Sequence, residues 1–137
     1  MKHCIEYRPI GVEQLDNIVA LYEQEGWRAY LGDNDKLARA FEGSLYMVGA
    51  FDEERLVGMI RLVGDGEHIL IVQDLLVAPD YRNEGIGKTL LAQALEPYRT
   101  VRTKLVLTDL YDPNANGFYQ ALGLKPIAQY DMIGYLI

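Results

Sequence analysis

The stretch "LLVAPDYRNEGIGKTLL", residues 75–91, constrains the fold of this chain more than any other. An apolar run ends at Val77, Pro79 stops it, and Gly85 and Gly87 open a helical pattern that buries Ile86, Leu90, Leu91 and Leu95. A second mostly apolar run, "KLVLTDL", follows. A strand, a helix and a strand in that order call for a crossover between parallel neighbours, which places the chain in the α/β class.

The rest of the sequence arranges itself around that crossover. Residues 4–8 alternate as a short strand halted by Pro9, and Leu15, Ile18, Val19 and Tyr22 fall at helical spacing until Gly26. Asn34 or Asp35 caps a second helix carrying Leu37, Ala40 and Phe41. "SLYMVGAF", "DEER" and "RLVGMIRLV" read as strand, turn, strand, and "HILIVQDLLV", residues 68–77, as a third strand after the turn "GDGE". "NANGFYQALG" reads as a last short helix and "QYDMIGYLI" as a terminal strand. The expected architecture is a mixed, mostly antiparallel twisted sheet with one central parallel pair and helices on both faces. With 137 residues it is read as a single domain, 1–137.

No apolar run approaches the roughly 20 residues that span a bilayer, and the N-terminus lacks the apolar core of an export signal. Cys4 is the only cysteine, so no internal disulfide forms and a cytoplasmic location is expected. One cysteine and two separated histidines do not make a structural zinc site, so no metal is expected. A net charge of −7 argues against non-specific nucleic-acid binding. Residues 81–109 nevertheless hold five of the thirteen basic residues and only three of the twenty acidic ones. An anionic ligand at the glycine turn fits that imbalance, as does a merely solvated charge distribution.

A helix start flanked by glycines is suited to phosphate. Its first amides lack intrahelical partners and carry the positive end of the macrodipole. A P-loop needs glycine five residues before Gly87, where Arg82 stands, and a dinucleotide fingerprint needs glycine where Leu90 stands. What remains is Arg82-x-x-Gly85-x-Gly87. Glycines admit a diphosphate to the amides, Arg82 can fork onto its oxygens, and Lys88 adds a point charge.

With "NANGFYQALGL" some thirty residues on, the stretch resembles the GNAT superfamily of acetyl-CoA-dependent N-acetyltransferases. The resemblance covers residues 68–124. It implies that Arg82, Asn83, Glu84, Gly85, Ile86, Gly87 and Lys88 cradle the diphosphate of acetyl-CoA. It further implies that the backbone of Leu75, Leu76 and Val77 holds the pantetheine arm, with Leu75 nearest the acetyl carbonyl. Tyr119 matches the tyrosine that the family places beside the coenzyme sulfur. Asp74, in "QDLLV", resembles the "EDLYV" pattern of polyamine-type members and is the favoured base, with His68, on the same face by alternation unless a bulge intervenes, and Glu67 as alternatives. Asn83 and Glu84 depart from the family's usual glycine and basic or polar residue. Asp112 replaces an asparagine that touches pantetheine, leaving Asn114 as a substitute.

The acceptor groove of such folds draws on "EQEGWRAYLGDND". Trp27 and Tyr30 would wall it, with Glu23, Glu25, Asp33 and Asp35 nearby, which suits a cationic small-molecule or peptide amine. The expected chemistry is direct attack of a primary amine in a ternary complex. The alternative is a non-catalytic acyl-CoA-binding module on the same fold. The apolar "MIGYLI" is a candidate for pairing across a homodimer.

Overall fold

In a computed structural model, which describes residues 3–137, five strands form one sheet in the order β1-β2-β3-β4-β5. The strands are β1 (Ile5–Pro9), β2 (Tyr46–Asp52), β3 (Arg55–Gly64), β4 (Ile69–Val77) and β5 (Thr103–Val106). β1 to β4 run antiparallel to their neighbours, and β4 and β5 are parallel. The crossover implied by the sequence is therefore present, but its strand pair lies at the edge of the sheet rather than at its centre. No strand forms over the terminal "QYDMIGYLI": Ile127–Tyr130 is a short 3-10 helix, and residues 131–137 are irregular and exposed. Pro9 ends β1 as a member of it, which an edge strand permits because the missing N–H breaks no ladder.

The helices are α1 (Leu15–Glu25), α2 (Asn34–Glu42), α3 (Ile86–Leu95) and α4 (Pro113–Ala121). Gly26 takes φ 73° and closes α1 with a left-handed residue that a side chain would disfavour. Asp33, not Asn34 or Asp35, caps α2, its carboxylate accepting from the Lys36 N–H at 3.0 Å. The chain divides into two compact units, residues up to Val106 and Leu107–Ile137.

In the first unit α1 and α2 cover one face of the sheet and α3 the other. Phe41 of α2 lies against Arg61 of β3, and Tyr22 of α1 reaches Asp74, the β4 partner of Arg61. On the opposite face, a Cβ added at Gly58 would meet Ile86 and Leu90 of α3 at 3.3 Å, so α3 sits close on the strand there. The core between these layers is continuous, from Ile18, Leu21 and Tyr22 through Val57, Ile60 and Leu62 to Leu90 and Ala94.

The second unit holds α4 and the terminal segment. Asp112 caps α4, accepting from the N–H of Asn114 and Ala115 at 3.0 and 3.1 Å. Asn116 Nδ2 ties down the preceding loop by donating to the carbonyls of Asp109, Leu110 and Asp112.

Candidate active site

The parallel ladder stops early. β4 and β5 pair only from Ile69↔Thr103 to Val72↔Val106, so among the described residues no strand lies along the outer edge of 73–77. The Ala78 N–H donates to Val57 O at 2.7 Å, toward β3. By alternation Leu76 also turns its backbone groups to β3, whereas Leu75 and Val77 turn theirs to the open edge. Two of the three residues assigned to a pantetheine arm thus face the open edge, with Val77 O already accepting from Arg82 Nε at 3.3 Å. Leu76 does not; it contributes a buried side chain.

At the turn beyond β4, Asn83 and Gly85 both have left-handed backbones, with φ 64° and 82°. Asn tolerates that region, which explains how the turn survives without the family's usual glycine. Gly85 is the N-cap of α3 and no side chain caps the helix. Thr89 N–H is the first to bond back, to Gly85 O at 3.1 Å, so the amides of Ile86, Gly87 and Lys88 have no intrahelical acceptor. Nothing lies within 4 Å of a Cβ built on Gly85. These residues fit an anion: unsatisfied donors, a helix dipole and open space at the glycine.

The side chains around the turn are already engaged. Arg82 is ion-paired with Glu25 at the end of α1, and its Nε donates to Val77 O at 3.3 Å. Here, then, the guanidinium braces the turn against α1, and its remaining N–H groups are what an anion would find. Glu84 accepts from the backbone N–H of His3 at 2.9 Å and pairs with its Nδ1 at 3.0 Å, and the first of these contacts lowers its pKa. Its charge is met by a partner instead of standing open beside the amides.

The ladder between β3 and β4 shifts register between Arg61↔Asp74 and Leu62↔Val72, leaving Gln73 as an extra residue in β4. That bulge moves Asp74 to the α1 face, opposite the face of Val72. His68, two residues beyond Leu70 on the other side of the bulge, therefore does not share a face with Asp74 as plain alternation suggests. Like Glu67, it belongs to a turn whose amides bind Asp65.

Asp74 itself is buried, 1 % exposed. Its Oδ2 accepts from Arg61 Nε at 2.6 Å and Tyr22 Oη at 2.8 Å, and its Oδ1 from Tyr30 Oη at 2.8 Å. Arg61 completes its set with Ser44 Oγ at 3.3 Å and lies over the Tyr30 and Phe41 rings. Burial works to lower the Arg61 pKa, but Asp74 outweighs it and the guanidinium is raised. Burial and then Asp74 push the Tyr22 phenol well up. Arg61, Tyr22 and Gln73 carry no recognisable signal in the sequence; the only hint is a lone arginine inside an apolar strand.

Trp27 and Tyr30 do form an aromatic group with Tyr22, with centroids 4.8 to 6.4 Å apart. Of the four acids near them in sequence, Glu25 holds Arg82 and Asp33 caps α2. Glu23 and Asp35 are exposed. In the second unit Tyr119 lies on α4, half-buried with its ring edge-on to Phe118 at 5.2 Å, and burial raises its pKa. Asn114 is exposed in the first turn of that helix, and Asp112 is its cap, a role that asparagine would fill equally well.

An open-edged strand leading through a glycine turn into an uncapped helix is the arrangement that the sequence resemblance implies. The profile of the acetyltransferase (GNAT) family matches residues 12–124, and the chain belongs to that family. A GNAT-family acetyltransferase structure from Streptococcus pneumoniae TIGR4 is 33 % identical, with 98 % of this chain and 97 % of that one superposed at a TM-score of 0.84. An N-acetyltransferase from Thermoplasma acidophilum, solved with coenzyme A, shares the fold at 21 % identity and a TM-score of 0.66, over 86 % of this chain and 88 % of that one. A curated relative, an uncharacterised N-acetyltransferase from Gracilaria tenuistipitata, is 29 % identical over 64 % of this chain and 50 % of its own length. The chain spans about half the length of the curated relatives it matches.

Proposed function

We propose that this chain transfers the acetyl group of acetyl-CoA to a primary amine by direct attack in a ternary complex. The observation that carries the proposal is a strand edge left unpaired beyond Val72, leading through Leu75 to the uncapped start of α3. The family match runs from α1 into α4, which supports treating residues 1–137 as one functional domain.

Acetyl-CoA supplies an activated acyl thioester when bound. The amides of Ile86, Gly87 and Lys88 hold its diphosphate, Gly85 lets it approach, and Asn83 shapes the turn. Lys88 contributes charge, while Arg82 and Glu84 serve mainly to brace the turn. Leu75 and Val77 bind the pantetheine arm as an added strand would, and the Leu75 N–H donates to the acyl oxygen as charge builds there. Asn114 offers its amide at the start of α4.

Tyr119 donates to the departing sulfur. Its raised pKa keeps the phenol protonated at neutral pH, and it acts more as a hydrogen-bond donor than by full proton transfer, because a thiol near 8.5 is the stronger acid. Asp74 has both oxygens engaged, so its role is to fix Tyr30 and Arg61 by charge; the proton of the amine leaves to solvent.

Thiol release from acetyl-CoA across a panel of primary amines and peptide N-termini tests this reading. Release that depends on the amine is expected, with Tyr119→Phe, which removes a donor to the developing charge, lowering kcat about a hundredfold. Coenzyme binding with no release on any amine would instead favour a binding module.

A further inference from the structure

We infer that Gln73 is a specificity-determining residue whose amide oxygen receives an N–H of the acceptor amine. The inference rests on the proposed transfer to an amine. It starts from the donors and acceptors around Asp74. A carboxylate held by Arg61 only accepts. Tyr30 Oη lies 2.8 Å from Asp74 Oδ1, so the phenol proton must lie between them. With that proton committed, the Tyr30 oxygen can only accept from its other neighbour, Gln73 Nε2, at 3.2 Å. The reverse orientation of the amide would set two acceptors face to face.

The chain Arg61, Asp74, Tyr30, Gln73 therefore has one direction, and it ends with Oε1 of Gln73 turned away from Tyr30. That oxygen has no partner among the described residues, and Gln73 is exposed. Burial keeps Tyr30 a phenol, since its pKa is raised even though the bond from Gln73 works the other way, so the direction persists through neutral pH.

Position matters as much as direction. Gln73 is the bulged residue, immediately past the last β4–β5 pair at Val72↔Val106. It stands two residues, about 6–7 Å along the strand, from Leu75. An acceptor oxygen oriented at the root of the open edge, beside the Trp27–Tyr30 aromatic pair, matches a group rich in N–H donors such as an ammonium or amine. A carboxylate at 73 could not donate to Tyr30, which gives the bulge a reason to carry glutamine.

The test compares Gln73→Ala and the near-isosteric Gln73→Met with wild type, using an amine that wild type acetylates. Losing a hydrogen bond to a charged donor should raise the amine KM about tenfold or more. The kcat and the acetyl-CoA dissociation constant should stay within about twofold, the pattern of lost uniform binding. In Tyr30→Phe the amide is free to turn, so a smaller rise is expected, and Tyr30→Phe combined with Gln73→Ala should be no worse than Gln73→Ala alone. An unchanged amine KM in both Gln73 variants overturns the inference while leaving the transferase reading intact. A parallel rise in the coenzyme constant overturns it too, by showing a general disturbance. If wild type releases no thiol with any amine, the transferase reading fails and this inference fails with it.

Discussion

Asp74 shows how a residue that looks like a base in sequence can stand buried, with both oxygens held by neighbours. Four groups, Arg61, Tyr22, Tyr30 and, through Tyr30, Gln73, are organised by one buried carboxylate. Asp74→Asn keeps the shape and removes the charge, leaving Arg61 buried without a counter-ion. Urea denaturation should show a loss of about 3–5 kcal/mol, the usual effect of breaking a buried pair from one side. A change below about 1 kcal/mol would mean that the pair is solvated and not structural. The network was not legible beforehand because its members are scattered over residues 22 to 74 and meet only through tertiary contacts. By contrast the turn at residues 82–88 was legible, since glycine at a left-handed position and an uncapped helix start are local properties. Arg82 was half-legible: its place was evident, its pairing with Glu25 across 57 residues was not.

Elements followed the sequence where hydrophobic period decided them. α1 buries Ile18, Leu21 and Tyr22, close to the face expected, and β2, β3 and β4 run where the alternation put them. The bulge at Gln73 leaves no mark on the sequence because a register slip reverses faces without altering the apolar pattern; Leu70, Val72, Asp74 and Leu76 are all buried on either side of it. The terminal "MIGYLI" has strand-like composition, yet composition alone supplies no neighbour to pair with. A turn offers the cleaner test at this scale. Asp65 accepts from the N–H groups of Glu67, His68 and Ile69 at 2.8 to 3.0 Å, and these bonds, that of Ile69 first, hold its pKa at about 2. In the unfolded chain it titrates near 3.9. A carboxyl lowered on folding contributes stability that is whole above the unfolded value and is lost as pH falls from about 4 to about 2. Denaturation across that range should show a shallower acid-side decline for Asp65→Asn than for wild type; identical slopes would place the titration elsewhere.

At the scale of the whole molecule, the basic residues of the stretch 81–109 divide between the two ends of α3, with Arg82 and Lys88 at its start and Arg99, Arg102 and Lys104 beyond its end. With Arg82 paired to Glu25, the start of α3 relies on its unbonded amides and Lys88 more than on a broad basic field. Membership of the acetyltransferase (GNAT) family was readable from the composite of turn and "GFYQALG", because both are contiguous motifs. The acceptor is a property of residues that no contiguous motif gathers. The direct measurement is calorimetric titration of acetyl-CoA into wild type and Gly85→Val, with folding checked by circular dichroism. At φ 82° a branched side chain is strained and fills the space over the α3 amides, so binding should weaken at least about tenfold. Equal affinity in a folded variant would contradict a diphosphate held at the start of α3.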